Sequence, residues 1–277
     1  MEETAYAKIN LALHVRGRQL NGYHQIETMF AFAEDGDLLE VEQADDLTLQ
    51  IGGAFAASLG PTDGNLVLRA ARALAEHYGV SAGAALKLDK RLPVASGIGG
   101  GSADAAAAIR LLVRWWGLPD ELDVQLQLAA ELGADVPACI RSEVARGTGR
   151  GDRLAYQDGS GLAGMPLLLV NPGVALSTAD VFRAWDGLDR GPMPTASPLA
   201  TAHQGRNDLE APAVRLESVI GEVLELLAGA QGTFLSRMSG SGATCFALFE
   251  RQADRDAAVA LVAERHPQWW RLATRLR

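Results

Sequence analysis

Cysteine is scarce: Cys139 and Cys245 are the only two in 277 residues, too few for a disulfide framework. They lie far apart in apolar stretches without metal-ligand spacing, which reads as two reduced thiols in a cytoplasmic chain. Basic charge is short as well, with 25 Lys and Arg against 34 Asp and Glu and a net charge of −9. That balance disfavours a general nucleic-acid or anionic-membrane binder and leaves room for a local basic pocket. No run reaches eighteen uninterrupted apolar residues, so no helical membrane span is expected. The opening MEETAYAKINLALHV lacks a basic start followed by a long apolar stretch, and no leader peptide is expected from it. Internal repeats and low-complexity tracts are missing too. What is plentiful is apolar content, 48%, which is that of an ordinary globular chain long enough for one large domain or two modest ones.

In AKINLALHV, Ile9, Leu11, Leu13 and Val15 share one face at the two-residue period of a half-buried strand. Asn21-Gly22-Tyr23 is a turn signal, and residues 25–33, 37–43 and 47–53 are predicted as three further strands. Asn65 to Gly79 has helical periodicity and closes on a glycine suited to a C-cap. AALKLDKRLP is predicted as a strand ended by Pro93, followed by a glycine loop and a helix through Trp116. DVQLQLAAELG is a further helix, stopped by Gly133. Near Tyr156 the texture turns polar and glycine-rich, which divides the chain into expected domains 1–155 and 156–277. Beyond it PLLLVNPG reads as a buried strand, STADVFRAW as a short capped helix, and residues 187–206 as a long surface loop. Residues 207–229 read as one helix, TFLSRMSGSGATCFALFE as strand, glycine turn and strand, and ADRDAAVALVAERH as a final helix. This interleaving predicts a two-domain α/β or α+β enzyme.

One loop concentrates the glycine. Pro93, Val94, Ala95 and Ser96 lead into Gly97, Ile98, Gly99, Gly100 and Gly101, and Ser102 and Ala103 pass directly into an alanine-rich helix. Glycine costs roughly 0.5–1 kcal/mol relative to alanine in ordered structure, so such a run needs a reason. Backbone N–H groups at a helix N-terminus suit a phosphate, and glycine lets the main chain approach oxygens that a Cβ would hold off. A hydroxyl at Ser102, where the helix is expected to begin, would serve as helix cap, phosphate donor or indirect magnesium ligand. A flexible loop with a serine N-cap would leave the same trace. Two other phosphate loops fail: a P-loop needs Lys then Ser or Thr where Ser102 and Ala103 stand, and a dinucleotide fingerprint needs glycine at 102.

Three separated segments, AYAKINLALHVRGRQLNGYHQIETMF, LPVASGIGGGSADAA and RMSGSGATCFALF, resemble in order and spacing the three motifs of the GHMP small-molecule kinases. Lys8 with Asn10, NGYH and ETMF resemble more narrowly the branch whose acceptor is a cytidine diphosphate-linked sugar alcohol, and LGADVPACI and NDLE are similar to it as well. Many relatives carry further glycines near Ala95 and Ser96, where this chain has none. The resemblance implies a two-domain α+β fold, the N-terminal domain similar to the second domain of ribosomal protein S5 and the C-terminal domain ferredoxin-like. It implies ATP as phosphoryl donor, with magnesium arriving on the nucleotide rather than in a dedicated carboxylate cage. Its partners would be these small molecules, with neither nucleic acid nor membrane, in a monomer or weak homodimer.

The same resemblance assigns roles. Asp135 would take the acceptor's proton, and a helix N-cap is its other reading. Lys8 would orient Asp135 and favour the developing alkoxide; a lysine on a solvated strand face is the plainer alternative. Asn10 shares the face of Lys8 and would bond the substrate. Asn65 is an adenine contact or simply a cap. Tyr23 and His24 would recognise the cytosine, or else cover a sheet edge and bond to backbone. Thr178 would touch the substrate diphosphate, or cap a helix. Ser239 and Gly240, with Ser241 and Gly242, form a close-approach turn or an ordinary β-turn. Homoserine or mevalonate kinase would keep the glycine loop without AKINL…NGYH, and a non-catalytic nucleotide-binding module would not need both Lys8 and Asp135.

Overall fold

The structure, a computed structural model, describes every residue except Leu20, Asn21 and Pro61, and the side chain of Asp63. The predicted turn at Asn21 therefore lies partly outside the described residues, while Gly22 has the positive φ (+86°) of a turn glycine. The alternating opening forms β1 (Glu2–Arg18), which pairs with β2 (His24–Glu42). The two strands expected at 25–33 and 37–43 are thus one strand of 19 residues. Gly36, which reads as a break, is a close approach instead, because a Cβ there would collide with the Ala5 carbonyl.

Packing divides the chain into two compact units. The first holds residues 1–7, 35–94 and 99–142. It contains β3 (Leu47–Gly52), α1 (Leu66–Tyr78), β4 (Ala84–Asp89), α2 (Gly100–Trp115), α3 (Leu122–Leu132) and α4 (Val136–Arg141). The C-terminal half of β2 pairs antiparallel with β4, Leu39 opposite Leu88 and Val41 opposite Leu86, and β4 pairs parallel with β3. Helix α2 packs against α1, α3 and α4. Its alanines 103 and 105 to 108 are all buried, and their small side chains are what let helices gather closely around it.

The second unit holds residues 8–34, 95–98 and 143–277. Here β5 (Ala145–Gly149) joins the N-terminal half of β2 to β6 (Arg153–Tyr156). Then come β7 (Pro166–Asn171), α5 (Thr178–Arg183), α6 (Pro198–Gln204), α7 (Glu210–Leu216), α8 (Val219–Ala228), β8 (Thr233–Met238), β9 (Cys245–Phe249), α9 (Gln252–Arg265) and β10 (Trp270–Arg275). The last four strands make an antiparallel sheet in the order β10-β7-β9-β8, with α8 and α9 packed on it. Strand, helix, two strands, helix and strand in that spatial order is the ferredoxin-like arrangement expected of the C-terminal part. Its core gathers Leu168, Val170, Ile220, Val223, Leu227, Cys245, Phe249 and Val262.

Several elements depart from the sequence pattern. The loop expected at 187–206 contains α6, opened by Ser197, whose hydroxyl accepts the Ala200 N–H, with Pro198 at the first helical position. The single helix expected at 207–229 breaks at Glu217-Ser218 into α7 and α8. Strand β10, where no element is expected from the sequence, alternates Trp270 and Leu272 with Arg271 and Arg275 and pairs with β7.

Candidate active site

In the second unit the three sequence motifs meet through hydrogen bonds. The Lys8 N–H donates to the Ile98 carbonyl at 3.0 Å, and the Thr244 N–H donates to the Ser96 carbonyl at 3.1 Å. The Ser239 hydroxyl donates to the Gly97 carbonyl at 2.9 Å and accepts the Asn10 N–H at 3.2 Å. A Cβ on Gly97 would collide with the Ser239 carbonyl, so that glycine serves this junction. The SGSG turn is held by Asn207 of the NDLE segment, whose amide donates to the Met238 and Gly240 carbonyls at 2.7 and 2.8 Å.

Lys8 is 3% exposed, so the solvated-face reading does not hold. Its ammonium donates to Asn10 Oδ1 at 3.0 Å and lies 5.0 Å from the centre of the Phe30 ring. The Asn10 amide nitrogen in turn donates to Thr28 Oγ1 at 2.8 Å, and the Thr28 hydroxyl donates to the Ala12 carbonyl. Asn10 therefore supports Lys8, a use the strand pattern does not reveal.

His24 opens β2 and meets two rings that the sequence reading did not single out. Its centroid lies 4.8 Å from that of Phe182 and 5.7 Å from that of Trp185, the latter edge to face. Phe182 and Trp185 sit three apart, at the end of α5 and just past it, a helical spacing that could have marked them as partners. Burial, with Arg18 nearby, holds the His24 imidazole below its usual value, so the ring is neutral at pH 7. Tyr23 is 56% exposed and carries the Arg150 guanidinium over its ring at 5.4 Å, while Asp152 clamps that guanidinium at 2.9 and 3.0 Å. Thr178 is not the cap of α5, since Ser177 holds that place. Its hydroxyl pairs with that of Ser241 at 2.8 Å.

A strap over residues 189–194 is tied into the same unit. Arg16 bonds Asp189 and Glu27, Arg146 bonds Glu27 and the Met193 and Pro194 carbonyls, and Glu27 accepts the Met193 N–H. His14, fully buried, donates through Nδ1 to the Gly191 carbonyl and accepts the Arg206 N–H at Nε2.

In the first unit the glycine run resolves position by position. Helix α2 starts at Gly100, not Ser102, and its N-cap is Gly99 in the left-handed region (φ +65°) with no side-chain cap. Ser102 therefore stands in the first turn, and the expectation that its hydroxyl begins the helix is corrected. The first intrahelical bond runs from the Ala103 N–H to the Gly99 carbonyl at 2.8 Å, so the N–H groups of Gly100, Gly101 and Ser102 precede the ladder. A Cβ on Gly100 would press on Lys90 Nζ at 3.0 Å, whereas one on exposed Gly101 would make only ordinary contact with Leu66 Cδ1 at 3.6 Å. Packing explains Gly100; it does not explain Gly101.

Below that turn lies a charge cluster that the sequence reading missed. Lys90 Nζ donates to Asp37 Oδ2 at 2.5 Å and to Asp104 Oδ2 at 2.6 Å, and all three side chains are buried. Asn65 caps α1 by accepting the Val67 N–H at 2.9 Å. Asp135 occupies the N-cap position of α4 yet makes no capping hydrogen bond, so its carboxylate is not spent on the helix start.

Residues 65–143 match the GHMP kinases N-terminal domain, and residues 186–268 match the GHMP kinases C-terminal domain. A 4-diphosphocytidyl-2-C-methyl-D-erythritol kinase of Rhizorhabdus wittichii is 59% identical, over 99% of this chain and 94% of its own. One from Sphingopyxis alaskensis is 50% identical over 100% and 99%. A solved 4-(cytidine 5'-diphospho)-2C-methyl-D-erythritol kinase superposes with a TM-score of 0.83 at 34% identity, covering 100% of this chain and 99% of that one. The mevalonate kinase of Methanococcus jannaschii, at TM-score 0.71 and 10% identity, shares the fold alone. The chain belongs to the GHMP kinase family, among its 4-diphosphocytidyl-2-C-methyl-D-erythritol kinases.

Proposed function

We infer that this chain is an ATP-dependent kinase that phosphorylates the 2-hydroxyl of 4-diphosphocytidyl-2-C-methyl-D-erythritol, a step of the non-mevalonate route to isoprenoids. The observation that carries the reading is the end-to-end identity with relatives of that name, up to 59%. The junction of Lys8, Ile98 and Ser239 supports it as a built site.

Phosphoryl transfer is chiefly a matter of positioning and charge stabilisation. The start of α2 offers N–H groups to the polyphosphate, and Gly101 keeps that approach clear. Among the described residues no three His, Cys, Asp or Glu side chains gather as a cage. Magnesium is proposed to travel with the nucleotide, where it would neutralise phosphate charge. Asp135 takes the proton of the acceptor hydroxyl as that oxygen bonds to the γ-phosphorus and ADP leaves. Lys8, oriented by Asn10, favours the alkoxide form of the attacking oxygen. Neutral His24, backed by Phe182 and Trp185, both donates and accepts, as recognition of an uncharged cytosine requires. Tyr23 provides the adjoining ring, and the Thr178–Ser241 hydroxyl pair, with Gly240 beside it, faces the acceptor's diphosphate. Asn65 is kept as an adenine neighbour through the amide nitrogen that its cap bond leaves over.

The division at 155/156 is likewise proposed, and the two family matches fall on either side of it. No helix among the described residues is long and apolar enough to cross a membrane. A cytoplasmic location, supported by two buried free thiols, and a monomer or weak homodimer complete the proposal.

The test is ADP release with the cytidylylated acceptor, mevalonate, homoserine, or no acceptor. Turnover with the first alone supports the reading. Turnover with either of the others, or acceptor-independent hydrolysis, overturns it.

A further inference from the structure

We propose that Lys90, with Asp37 and Asp104, is a positioning cluster that sets the height of the α2 N-terminus and so governs ATP affinity. This rests on the reading above, in which that terminus receives the nucleotide phosphates. The cluster grips the glycine loop at both ends. Asp37 Oδ1 accepts the N–H groups of Arg91 and Leu92, just before the loop, at 2.6 and 2.8 Å. Its other oxygen takes the Lys90 ammonium, which also reaches Asp104 in the first turns of α2. The Lys90 backbone is pinned independently, its N–H donating to the Gly52 carbonyl and its carbonyl accepting the Phe55 N–H.

Gly100 completes the link. It has a helical conformation in which alanine would be the better residue, yet a Cβ there would meet the Lys90 ammonium at 3.0 Å. The glycine is therefore shaped by the cation beneath it. Buried ion pairs are weak stabilisers, because desolvation offsets their attraction, and fixing one arrangement is their better-attested use. Asp37 is fully bonded, whereas Asp104 Oδ1 is buried without a partner. Burial pushes the Asp104 carboxyl up to about 8, with Asp37 adding to the rise and Lys90 opposing it.

The experiment compares Gly100→Ala, Asp104→Ala and Asp104→Asn in the full chain, with KM for each substrate and calorimetric titration by ATP alone. Gly100→Ala keeps all three side chains of the cluster, so it reports even where an aspartate variant misfolds. The expected result is an ATP KM raised at least about tenfold in Gly100→Ala and Asp104→Ala, within the hundredfold that an ångström of misplacement can bring. Acceptor KM stays within about twofold, and Asp104→Asn, which keeps an oxygen for Lys90, recovers most of the ATP affinity. Unchanged ATP affinity in Gly100→Ala, or equal rises for both substrates, overturns the proposal. A wild-type chain that binds ATP without phosphorylating the acceptor fails the proposed function and leaves this test standing; one that binds no ATP fails both.

Discussion

The first unit seals a compact charge cluster beneath its glycine turn, whereas the second surrounds Lys8 and His24 with amides, hydroxyls and rings and keeps its ion pairs in the strap. Under the glycine loop, a lysine and two aspartates are sealed from solvent. Around Lys8, by contrast, the described contacts include the Asn10 amide, backed by Thr28, and the Phe30 face. The difference suits the ligand proposed for each region. A polyphosphate needs a fixed, strongly polarised backbone, which charges anchored on both sides can hold rigidly. An uncharged pyrimidine and an alcohol need directional hydrogen bonds and a flat apolar wall.

The sharpest way to break this contrast is at the group proposed to do chemistry rather than binding. Asp135→Asn should lower kcat at least about a hundredfold, the lower end for general base catalysis, with ATP affinity unchanged by calorimetry. Near-normal turnover in a folded variant would remove Asp135 from the mechanism. Next comes recognition in the second unit. His24→Ala should raise acceptor KM about five- to a hundredfold, since loss of one stacking partner costs roughly 1–3 kcal/mol, with ATP KM unmoved. If both constants rise alike, His24 is structural.

Gly101→Ala sharpens the first-unit side. The Cβ has room, so Tm should rise slightly as helix propensity improves by roughly 0.5–1 kcal/mol. ATP KM should nonetheless increase about tenfold, the loss of one charge-assisted hydrogen bond of about 1.5 kcal/mol. A stabler protein with unchanged ATP KM would mean that phosphate does not approach there.

The smallest effect concerns pH. Burial first, then the nearby Arg206, holds His14 below its usual value, and Nε2 is already an acceptor for the Arg206 N–H. A depressed histidine contributes stability that is present above the unfolded value of about 6.5 and is lost as pH falls through the folded one. Melting curves from pH 7.5 to 5 should therefore slope downward toward acid by a few degrees, the scale of about 1 kcal/mol in a chain of this length. His14→Asn should melt lower at pH 7.5 and show a flatter slope. An unchanged slope would remove His14 as the titrating latch of the strap.

The legible parts of this molecule were those whose signal is local. Three glycine-bearing motifs named the family, and apolar alternation placed the core of β1. Ser197-Pro198 is an equally local signal, but the Pro and Gly around it read as loop and hide α6. What stayed hidden depends on distant partners. Nothing in LDKRLP says that Lys90 meets Asp37, 53 residues away, or that an aspartate in an alanine-rich helix turns inward. Phe182 and Trp185 likewise acquire meaning only once β2 brings His24 to them. Gly36 looks like a turn glycine and instead makes room for the Ala5 carbonyl on the neighbouring strand, and Gly100 also makes room for the Lys90 ammonium.

Transfer to one particular hydroxyl is the central claim, and phosphorus NMR of the reaction product reads it directly. The carbon that carries the 2-hydroxyl also carries the methyl branch and no hydrogen, so a phosphate placed there has no three-bond proton coupling. The expected spectrum gains one monoester signal that stays a singlet without proton decoupling, beside the two coupled phosphorus signals of the diphosphate. Asp135→Asn should leave that signal missing over the same interval. A monoester signal split by protons would place the phosphate on another hydroxyl, and inorganic phosphate alone would mean hydrolysis; either result contradicts the assignment.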